Sequence, residues 1–254
     1  MGIPLSQVAR IGAYIVGKEF SATKRYPLVL MLEPLFRCNL ACKGCGKIDY
    51  PDSILNQRLS YEQCMSAIDE CGAPVVSIAG GEPLLHRDMP RIVRGYLDRK
   101  KYVILCTNAM LLKKKIDDYK PDDGFTWSIH LDGDLGMHDK AVSQDGVYDV
   151  AVDAIRLAKA KGFRVSINCT LFNDADPERS AAFFDTVTAL GIDGITVSPG
   201  YSYERAPDQD SFLNRTRTKE LFRGILGRGN GGKKWPFSQS TAFLNFLAGN
   251  RSYE

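Results

Sequence analysis

Residues 27–47 read PLVLMLEPLFRCNLACKGCGK, an apolar run that leads directly into three cysteines. The run at 27–33 has the composition of a buried strand. Cys38, Cys42 and Cys45 follow it within eight positions. Disulfide, zinc and iron–sulfur sites can all use cysteines at such short spacing. The rest of the sequence is needed to distinguish these three kinds of site.

Five later apolar runs have the same strand-like character. They are VVSIAGG (75–81), YVILCTN (102–108), FTWSIHLDG (125–133), RVSINCTLF (164–172) and GITVSPG (194–200). Helical patterns separate them: one has Ser60 as its N-cap and ends at Gly72, and another has Pro177 in its first turn. Alternating strands and helices predict an α/β fold with a parallel sheet. Six units, against the eight of a closed barrel, predict a partial (β/α)6 barrel with its site at the carboxyl ends of the strands.

Composition excludes several classes of protein. The 254 residues are 44% hydrophobic and 25% charged, which is typical of a globular protein. A formal net charge of +3 gives no basis for nucleic-acid binding. The chain has no apolar stretch of about 20 residues and no signal-peptide pattern. Seven cysteines, an odd number, argue against a disulfide framework. A cytoplasmic location is the expectation.

The cysteine loop favours an iron–sulfur cluster over zinc. A structural zinc needs four ligands, but the other four cysteines are scattered and the three histidines lie well beyond the loop. Redox use of Cys42 and Cys45 alone leaves Cys38 unexplained. Three thiolates suit a four-iron cluster in which one iron lacks a protein ligand and is open to a substrate. A non-enzymatic iron–sulfur or zinc module remains an alternative.

The CxxxCxxC pattern after the first strand and GGEP after the second together resemble the radical S-adenosylmethionine (SAM) superfamily. The resemblance implies that Cys38, Cys42 and Cys45 hold a [4Fe-4S] cluster to which SAM binds. It implies that the methionine amino group of SAM meets the second motif, which consists of Gly80, Gly81, Glu82 and Pro83. Glycine would let backbone carbonyls approach that ligand closely.

The chain departs from the family pattern at Gly44. The residue before the third cysteine is usually aromatic and touches the adenine of SAM in this family. With glycine at this position, the adenine contact has to come from elsewhere in the chain, or the pocket is wider.

Longer stretches are similar to the adenosylhopane synthases over essentially the whole chain. These stretches are residues 33–51, SIAGGEPLLHRDM (77–89), CTNAMLL (106–112), SIHLDG (128–133) and NCTLFNDADPE (168–178). The resemblance implies that a 5′-deoxyadenosyl radical adds to the terminal alkene of a hopene, usually diploptene, in hopanoid biosynthesis. It also implies a one-electron donor such as flavodoxin or ferredoxin. The alternative is a radical SAM enzyme that abstracts hydrogen from a peptide or another small molecule.

Three regions are expected along the chain. Residues 1–26 form an amphipathic helix and lead-in, 27–200 the partial barrel, and 201–254 the helical start of a C-terminal region. Members of the resembled family continue beyond this point, so a truncated C-terminal region is expected. The tract at 227–236, GRGNGGKKWP, is expected to be a flexible loop or linker. The apolar stripe of the first helix could cover the open barrel, or it could lie peripherally at the inner face of the membrane where a triterpene resides.

Several strand-end residues are further candidates for the site. Asn108, Asn168 and His130 are expected to contact SAM, whereas Asp132 is expected to begin a turn with Gly133. Addition to an alkene leaves a carbon radical that needs a hydrogen atom, and a thiol is the side chain best suited to donate it. Cys106 is the expected donor because side chains alternate along a strand, which places it on the same face as Asn108. Cys169 is the reserve candidate.

Overall fold

The sheet is a half-barrel of parallel strands. A computed structural model of the chain describes residues 4–21, 24–204, 206 and 208–252. In this part of the chain six strands pair in sequence order. They are β1 (Val29–Leu32), β2 (Val75–Ile78), β3 (Tyr102–Thr107), β4 (Phe125–His130), β5 (Arg164–Leu171) and β6 (Gly194–Pro199). The predicted partial (β/α)6 barrel is confirmed.

Helices connect and flank these strands. Those within the described residues are α1 (Leu5–Phe20), α2 (Asp52–Leu55), α3 (Tyr61–Cys71), α4 (Met89–Asp98), α5 (Leu112–Lys115), α6 (Leu135–Val142), α7 (Val147–Ala160), α8 (Pro177–Ala189), α9 (Arg215–Arg228) and α10 (Thr241–Leu247). Ser60 caps α3 through a reciprocal pair of hydrogen bonds with Gln63, and Gly72 ends that helix at a φ of +68°. Local capping chemistry therefore sets the boundaries that the sequence predicts.

Strand β5 shows how the sheet separates an apolar face from a polar one. Its side chains alternate between buried and half-buried along the whole strand. Val165 and Ile167 are buried in the apolar core, whereas Asn168 and Thr170 line a cavity on the other face. Alternation follows from the two-residue period of a strand. The helices thus cover an apolar face, and the opposite face is free to carry a polar site.

The tract at 227–236 includes a loop, as expected, but Trp235 packs this loop against the barrel, so it is not a linker. Its first two residues belong to α9. The Trp235 ring is buried 5.4 Å from the Phe184 ring, and its Nε1 donates to Asp185 Oδ1 at 2.8 Å. Phe237 then forms a parallel bridge with Ile195 on the outer edge of β6. Burial of the large Trp235 side chain fixes the position of this segment despite the conformational freedom of its glycines.

The last helix, α10, has a defined end. Apolar side chains of α10, such as Leu244 and Leu247, are buried in the core. Gly249 follows with a φ of +72°, a conformation that glycine adopts readily and that ends helices. The apolar spacing at 242–248 therefore belongs to a short helix with a defined end.

Helix α1 confirms the predicted N-terminal helix, and its polar contacts lie at the amino ends of β1 and β3. None of its described side chains is buried. Arg10 Nη1 donates to the Lys100 carbonyl at 2.9 Å, and the Tyr14 hydroxyl donates to the Pro27 carbonyl at 3.0 Å. Its outward face is apolar, with Leu5 87% and Phe20 89% exposed. No helix in the described ranges is both long enough and apolar enough to span a bilayer.

Replacing Trp235 tests whether the 229–236 segment is part of the folded core. Trp235→Ala is expected to lower the free energy of unfolding by about 3–5 kcal/mol, because it leaves a cavity against Phe184 and removes the hydrogen bond to Asp185 Oδ1. Phe243→Ala, at a more exposed position of α10, is the control and should cost less than about 1 kcal/mol. Urea unfolding measures both values. Equal, small losses in the two variants would contradict the packed position of this segment.

Candidate active site

A cavity of about 490 Å³ lies at the carboxyl ends of the strands. This volume is within the range of ligand pockets, about 300–1,000 Å³. Ten of the predicted residues line it: Cys38, Cys42, Cys45, Gly80, Gly81, Glu82, Cys106, Asn108, His130 and Asn168. Pro83 does not line it, because this residue is buried at the start of a short 3-10 helix. The structure therefore brings almost the whole predicted set together.

The three cysteines of the loop after β1 share this cavity and are all half-buried free thiols. Burial, together with the neighbouring Cys38 and Cys45 thiols, raises the pKa of Cys42 to about 12. Burial also raises the pKa of Cys38. Thiols with raised pKa values stay protonated at neutral pH unless a cation binds their sulfurs. The donor set is therefore suited to a metal centre that neutralises several thiolates at once.

Three thiols line the cavity, one fewer than the four ligands of a structural zinc site. Around one zinc ion the sulfurs all lie about 2.3 Å from the metal. Cysteines that hold a four-iron cluster each bind a different iron, so their sulfurs lie farther apart. Three thiols around one cavity fit a [4Fe-4S] cluster.

Gly80 and Gly81 hold the cysteine loop against the end of β2. Gly81 N donates to the Leu35 carbonyl at 3.0 Å, and Glu82 N donates to the Arg37 carbonyl at 2.9 Å. A Cβ atom on Gly80 would lie 2.3 Å from the Leu35 oxygen, and one on Gly81 would lie 2.2 Å from the Arg37 oxygen. Gly80 also has a φ of +111°. The glycines are thus needed so that the loop can pack closely against β2. The sequence analysis explained them only by the approach of a ligand and did not predict this packing.

Glu82 ties the end of β2 to the end of β3. Its Oε1 accepts from Leu84 N and Thr107 Oγ1, both at 2.9 Å, and its Oε2 accepts from Asn108 N at 2.9 Å. Burial raises the pKa of Glu82, and these three hydrogen bonds act in the opposite direction. The carboxylate therefore has a structural role that the motif did not reveal. Its contact with SAM stays a prediction.

Asn108 directly follows β3, as expected, whereas Asn168 lies within β5, three residues before the strand ends. The Asn108 amide donates to Asn39 Oδ1 at 2.8 Å, and its oxygen accepts from Met110 N at 3.1 Å. Asn108 thus connects the end of β3 to the cysteine loop. Asn168 is paired in register with His130 across β4 and β5, and both line the cavity. Contact of these residues with SAM remains a prediction.

Asp132 is a buried site residue, so the expectation that it merely begins a turn is wrong. Its Oδ2 lies 2.6 Å from His130 Nε2, and its Oδ1 accepts from Thr170 N at 2.7 Å. Burial lowers the pKa of His130, but the Asp132 carboxylate outweighs this effect and the pKa is raised. His130 is therefore held in one orientation at the cavity wall. The available signal in the sequence was the stretch HLD (130–132), which places Asp132 two residues after the end of β4.

The two strand cysteines lie on opposite faces of the sheet. Cys106 lines the cavity and pairs in register with Ser128. Cys169 is fully buried in the apolar core among the helix-facing side chains. Cys169 therefore has no access to the cavity, and its place as reserve hydrogen donor is wrong. The alternation of β5, with Asn168 and Thr170 on the cavity side, is the physical reason.

Aromatic side chains that line the cavity beside the cysteine loop were missed by the sequence reasoning. Phe172, Tyr201, Tyr203 and Phe212 all line it. A Cβ atom on Gly44 would lie 2.9 Å from Phe172 Cζ, so this ring fills the space that a side chain at position 44 would need. The rings come from residues far apart in sequence, without a periodic pattern. No local signal could have grouped them.

Gly81→Ala tests the packing of the cysteine loop on β2. The new methyl group would overlap the Arg37 carbonyl, so the loop must move and its three thiols with it. We expect the iron bound after anaerobic reconstitution to fall by about tenfold, as for the loss of a supporting group around a metal. Gly17→Ala is the control, because nothing lies within 4 Å of its Cβ. Full iron content in Gly81→Ala would contradict this role.

Comparisons with known families agree with this geometry. The family model described as the radical SAM superfamily matches residues 32–187, more than half of the chain. A second model, described as a domain of unknown function (DUF3463), matches residues 195–254. The first match includes the cysteine loop and the GGEP motif. The second begins in β6 and includes the segment that carries Tyr203 and Phe212.

Curated relatives align with only part of the chain. Fe-coproporphyrin III synthase of Methanosarcina barkeri is 26% identical over 153 residues, which are 59% of this chain and 38% of that protein. A GTP 3′,8-cyclase of Listeria monocytogenes is 31% identical over 155 residues, which are 58% of this chain and 46% of the cyclase. The chain thus spans less than half the length of these relatives.

Solved structures share the fold over nearly the whole chain. Streptococcus suis SuiB bound to S-adenosylmethionine has a TM-score of 0.75 at 16% identity, covering 98% of this chain and 58% of SuiB. The structure of anSMEcpe with bound AdoMet and a peptide has a TM-score of 0.63 at 16% identity, covering 90% of this chain and 68% of that one. The family match, the half-barrel and the cysteine-lined cavity together show that the chain belongs to the radical SAM superfamily, whose cofactors are a [4Fe-4S] cluster and SAM.

Proposed function

We propose that this protein adds the 5′-deoxyadenosyl group of SAM to the terminal alkene of a hopene such as diploptene, forming adenosylhopane in hopanoid biosynthesis. The observation that carries the proposal is a fourth thiol, Cys106, in the cavity of the three loop cysteines. Abstraction of hydrogen from a substrate needs no such donor. Addition to an alkene does, because it leaves a carbon radical on the substrate.

The residues that would hold the cofactors surround one end of the cavity. Cys38, Cys42 and Cys45 are the proposed ligands of the cluster, and Asn108 and His130 are proposed to face SAM. When bound, the cluster and SAM supply the 5′-deoxyadenosyl radical through one-electron cleavage of SAM. A flavodoxin or ferredoxin is the proposed source of the electron. Asp132 would keep the His130 ring in one orientation throughout, through their 2.6 Å contact.

Cys106 is the proposed hydrogen-atom donor. Its S–H bond breaks and a C–H bond forms on the substrate, which leaves a saturated product and a sulfur radical on Cys106. One electron from the external donor and one proton from solvent restore the thiol. Burial raises the pKa of Cys106, which keeps the sulfur protonated and able to donate a hydrogen atom at neutral pH.

The aromatic wall of the cavity, beyond the ends of β5 and β6, suits an apolar substrate. Phe172, Tyr201 and Phe212 line it, and no lysine or arginine is among the described residues that line the cavity. Aromatic and aliphatic surfaces bind hydrocarbons because contact removes apolar area from water. The distribution of side chains therefore supports polar contacts for SAM near β2 to β4 and apolar contacts for the hydrocarbon near β6.

Helix α1 is the proposed contact with the membrane in which such a substrate resides. Leu5, Val8, Val16 and Phe20 are each more than half exposed on its outward face. Lys18, Lys24 and Arg25 lie on or just after the helix and suit anionic headgroups. An apolar face flanked by basic residues is typical of a helix that lies in a bilayer interface.

A single assay tests the reaction and the role of Cys106. The reconstituted protein is incubated anaerobically with SAM, a strong reductant and diploptene, and the products are analysed by mass. The unaltered protein should form the saturated adenosyl adduct. Cys106→Ala should still cleave SAM and couple the two molecules, but its yield of saturated adduct should fall roughly tenfold, which corresponds to about 1.4 kcal/mol in the barrier. Cys169→Ala, with its thiol on the other face, is the control.

Two outcomes would contradict the proposal in different ways. A normal yield of saturated adduct from Cys106→Ala would remove Cys106 as the donor while leaving the reaction in place. Formation of 5′-deoxyadenosine from every protein without any adduct would favour the alternative, hydrogen abstraction from a peptide or another small molecule. Iron content and the visible spectrum, measured on the same samples, confirm that each protein carries its cluster.

Introducing negative charge on the apolar face of α1 tests membrane contact. Leu5→Glu combined with Phe20→Glu should weaken binding to anionic liposomes by about 100-fold or more, because the two apolar side chains together contribute about 3–6 kcal/mol when they are buried. Ser6→Glu combined with Gln7→Glu adds the same charge without removing large apolar side chains and is the control. Sedimentation with vesicles measures both affinities. Equal affinities for the two double variants would argue against the helix as the contact.

A further inference from the structure

The segment that follows β6 folds back over the cysteine loop. Its described residues, within 201–213, lie in the region matched by the domain of unknown function. Leu213 N donates to the Gly200 carbonyl at 2.7 Å, and Asn173 N donates to the Ser211 carbonyl at 2.8 Å. These backbone bonds anchor the segment to the ends of β5 and β6. The segment is therefore fixed in a position from which its side chains can contact the cysteine loop.

Tyr203 makes two hydrogen bonds to the backbone on either side of Cys45. Gly46 N donates to the Tyr203 hydroxyl at 2.6 Å, and that hydroxyl donates to the Gly44 carbonyl at 3.1 Å. One phenol oxygen thus bridges the residue before Cys45 and the residue after it. Both donor and acceptor capacities of the hydroxyl are used in this bridge.

Cys45 needs such an anchor more than the other two cysteines do. Cys38 follows directly on the residues that are hydrogen-bonded to Gly81 and Glu82. Cys42 packs against a small apolar cluster that contains Leu40, and its neighbour Lys43 is bonded through its backbone to Ala141. Cys45 is flanked by glycines, which have no side chain to pack and the greatest conformational freedom.

Aromatic packing holds the Tyr203 ring in place. The Phe212 ring lies 6.1 Å from the Tyr203 ring and 5.9 Å from the Phe172 ring. Phe172 in turn fills the space over Gly44. The phenol is therefore presented by a packed cluster of rings, a geometry that contributes beyond simple burial. An aromatic side chain at position 44 would collide with this cluster.

We propose that Tyr203 is a positioning residue that holds Cys45 for cluster binding, so that the segment of unknown function helps to assemble the radical SAM site. This inference rests on the proposed role of Cys45 as a cluster ligand. Residues that hydrogen-bond to a metal-binding residue and fix its position commonly affect metal binding almost as much as the ligand itself. The role belongs to the hydroxyl, since the ring alone cannot bridge Gly44 and Gly46.

The test compares matched tyrosine variants of the full chain after anaerobic reconstitution with iron and sulfide. Tyr203→Phe removes the two hydrogen bonds and keeps the ring. Tyr14→Phe is the control, because it removes one phenol hydrogen bond, to the Pro27 carbonyl, at the opposite end of β1 from the cysteine loop. Cys45→Ala is the reference for loss of the ligand. Cluster loss to an iron chelator, the electron paramagnetic resonance spectrum of the reduced cluster, and the unfolding midpoint of the iron-free protein are measured.

Tyr203→Phe should lose its cluster about tenfold faster than the unaltered protein and show a changed resonance spectrum. Its iron-free unfolding midpoint should shift by less than about 3 °C, and Tyr14→Phe should match the unaltered protein in both cluster properties. Unchanged cluster loss and spectrum in Tyr203→Phe, with the cluster lost in Cys45→Ala, would overturn the inference alone. A full cluster in Cys45→Ala would overturn the ligand assignment as well. A large fall in the iron-free midpoint of Tyr203→Phe would reduce its role to ordinary stability and overturn the inference too.

Discussion

The close approach of the cysteine loop to Gly80 and Gly81 is the constraint on which the site depends. The carbonyl oxygens of Leu35 and Arg37 lie where side chains at these glycines would have to be. Only glycine allows two backbone segments to pack at this distance. The same contact sets the direction in which the loop leaves β1. It also brings Glu82 to the point where its carboxylate can accept hydrogen bonds from the end of β3.

The contacts to the loop come from elements that are distant in the sequence. The end of β2 holds its first part through backbone hydrogen bonds, and the end of β3 reaches it through Asn108 and Asn39. The segment after β6 reaches it through Tyr203. These elements meet because all strands of a parallel sheet present their carboxyl ends on one edge. The thiols therefore share one cavity only when the sheet has closed in its observed order.

Local patterns in the sequence predicted the parts of this structure that depend on local physics. The six apolar runs correspond to the six strands, and Ser60 marks the start of α3. Both were predictable because each signal depends on interactions within a few residues. The cysteines and the glycine motif were found for the same reason. Asp132 was mistaken for a turn residue because its hydrogen-bond partners lie on other parts of the fold. Tyr203 could not be found at all, since it contacts a loop 157 residues away.

Strand alternation decides which of the two strand cysteines faces the cavity. Cys106 and Cys169 both lie in central strands of the same sheet, and both are surrounded by similar sequence. The register of β3 places Cys106 on the cavity face next to Ser128, whereas that of β5 turns Cys169 toward the helices. A shift of one residue in either strand would exchange these environments. Whether each thiol faces the cavity or the core is therefore a consequence of register. Leu105, buried next to Cys106, holds β3 in place, and Ile167 and Leu171 share the buried face of β5 with Cys169.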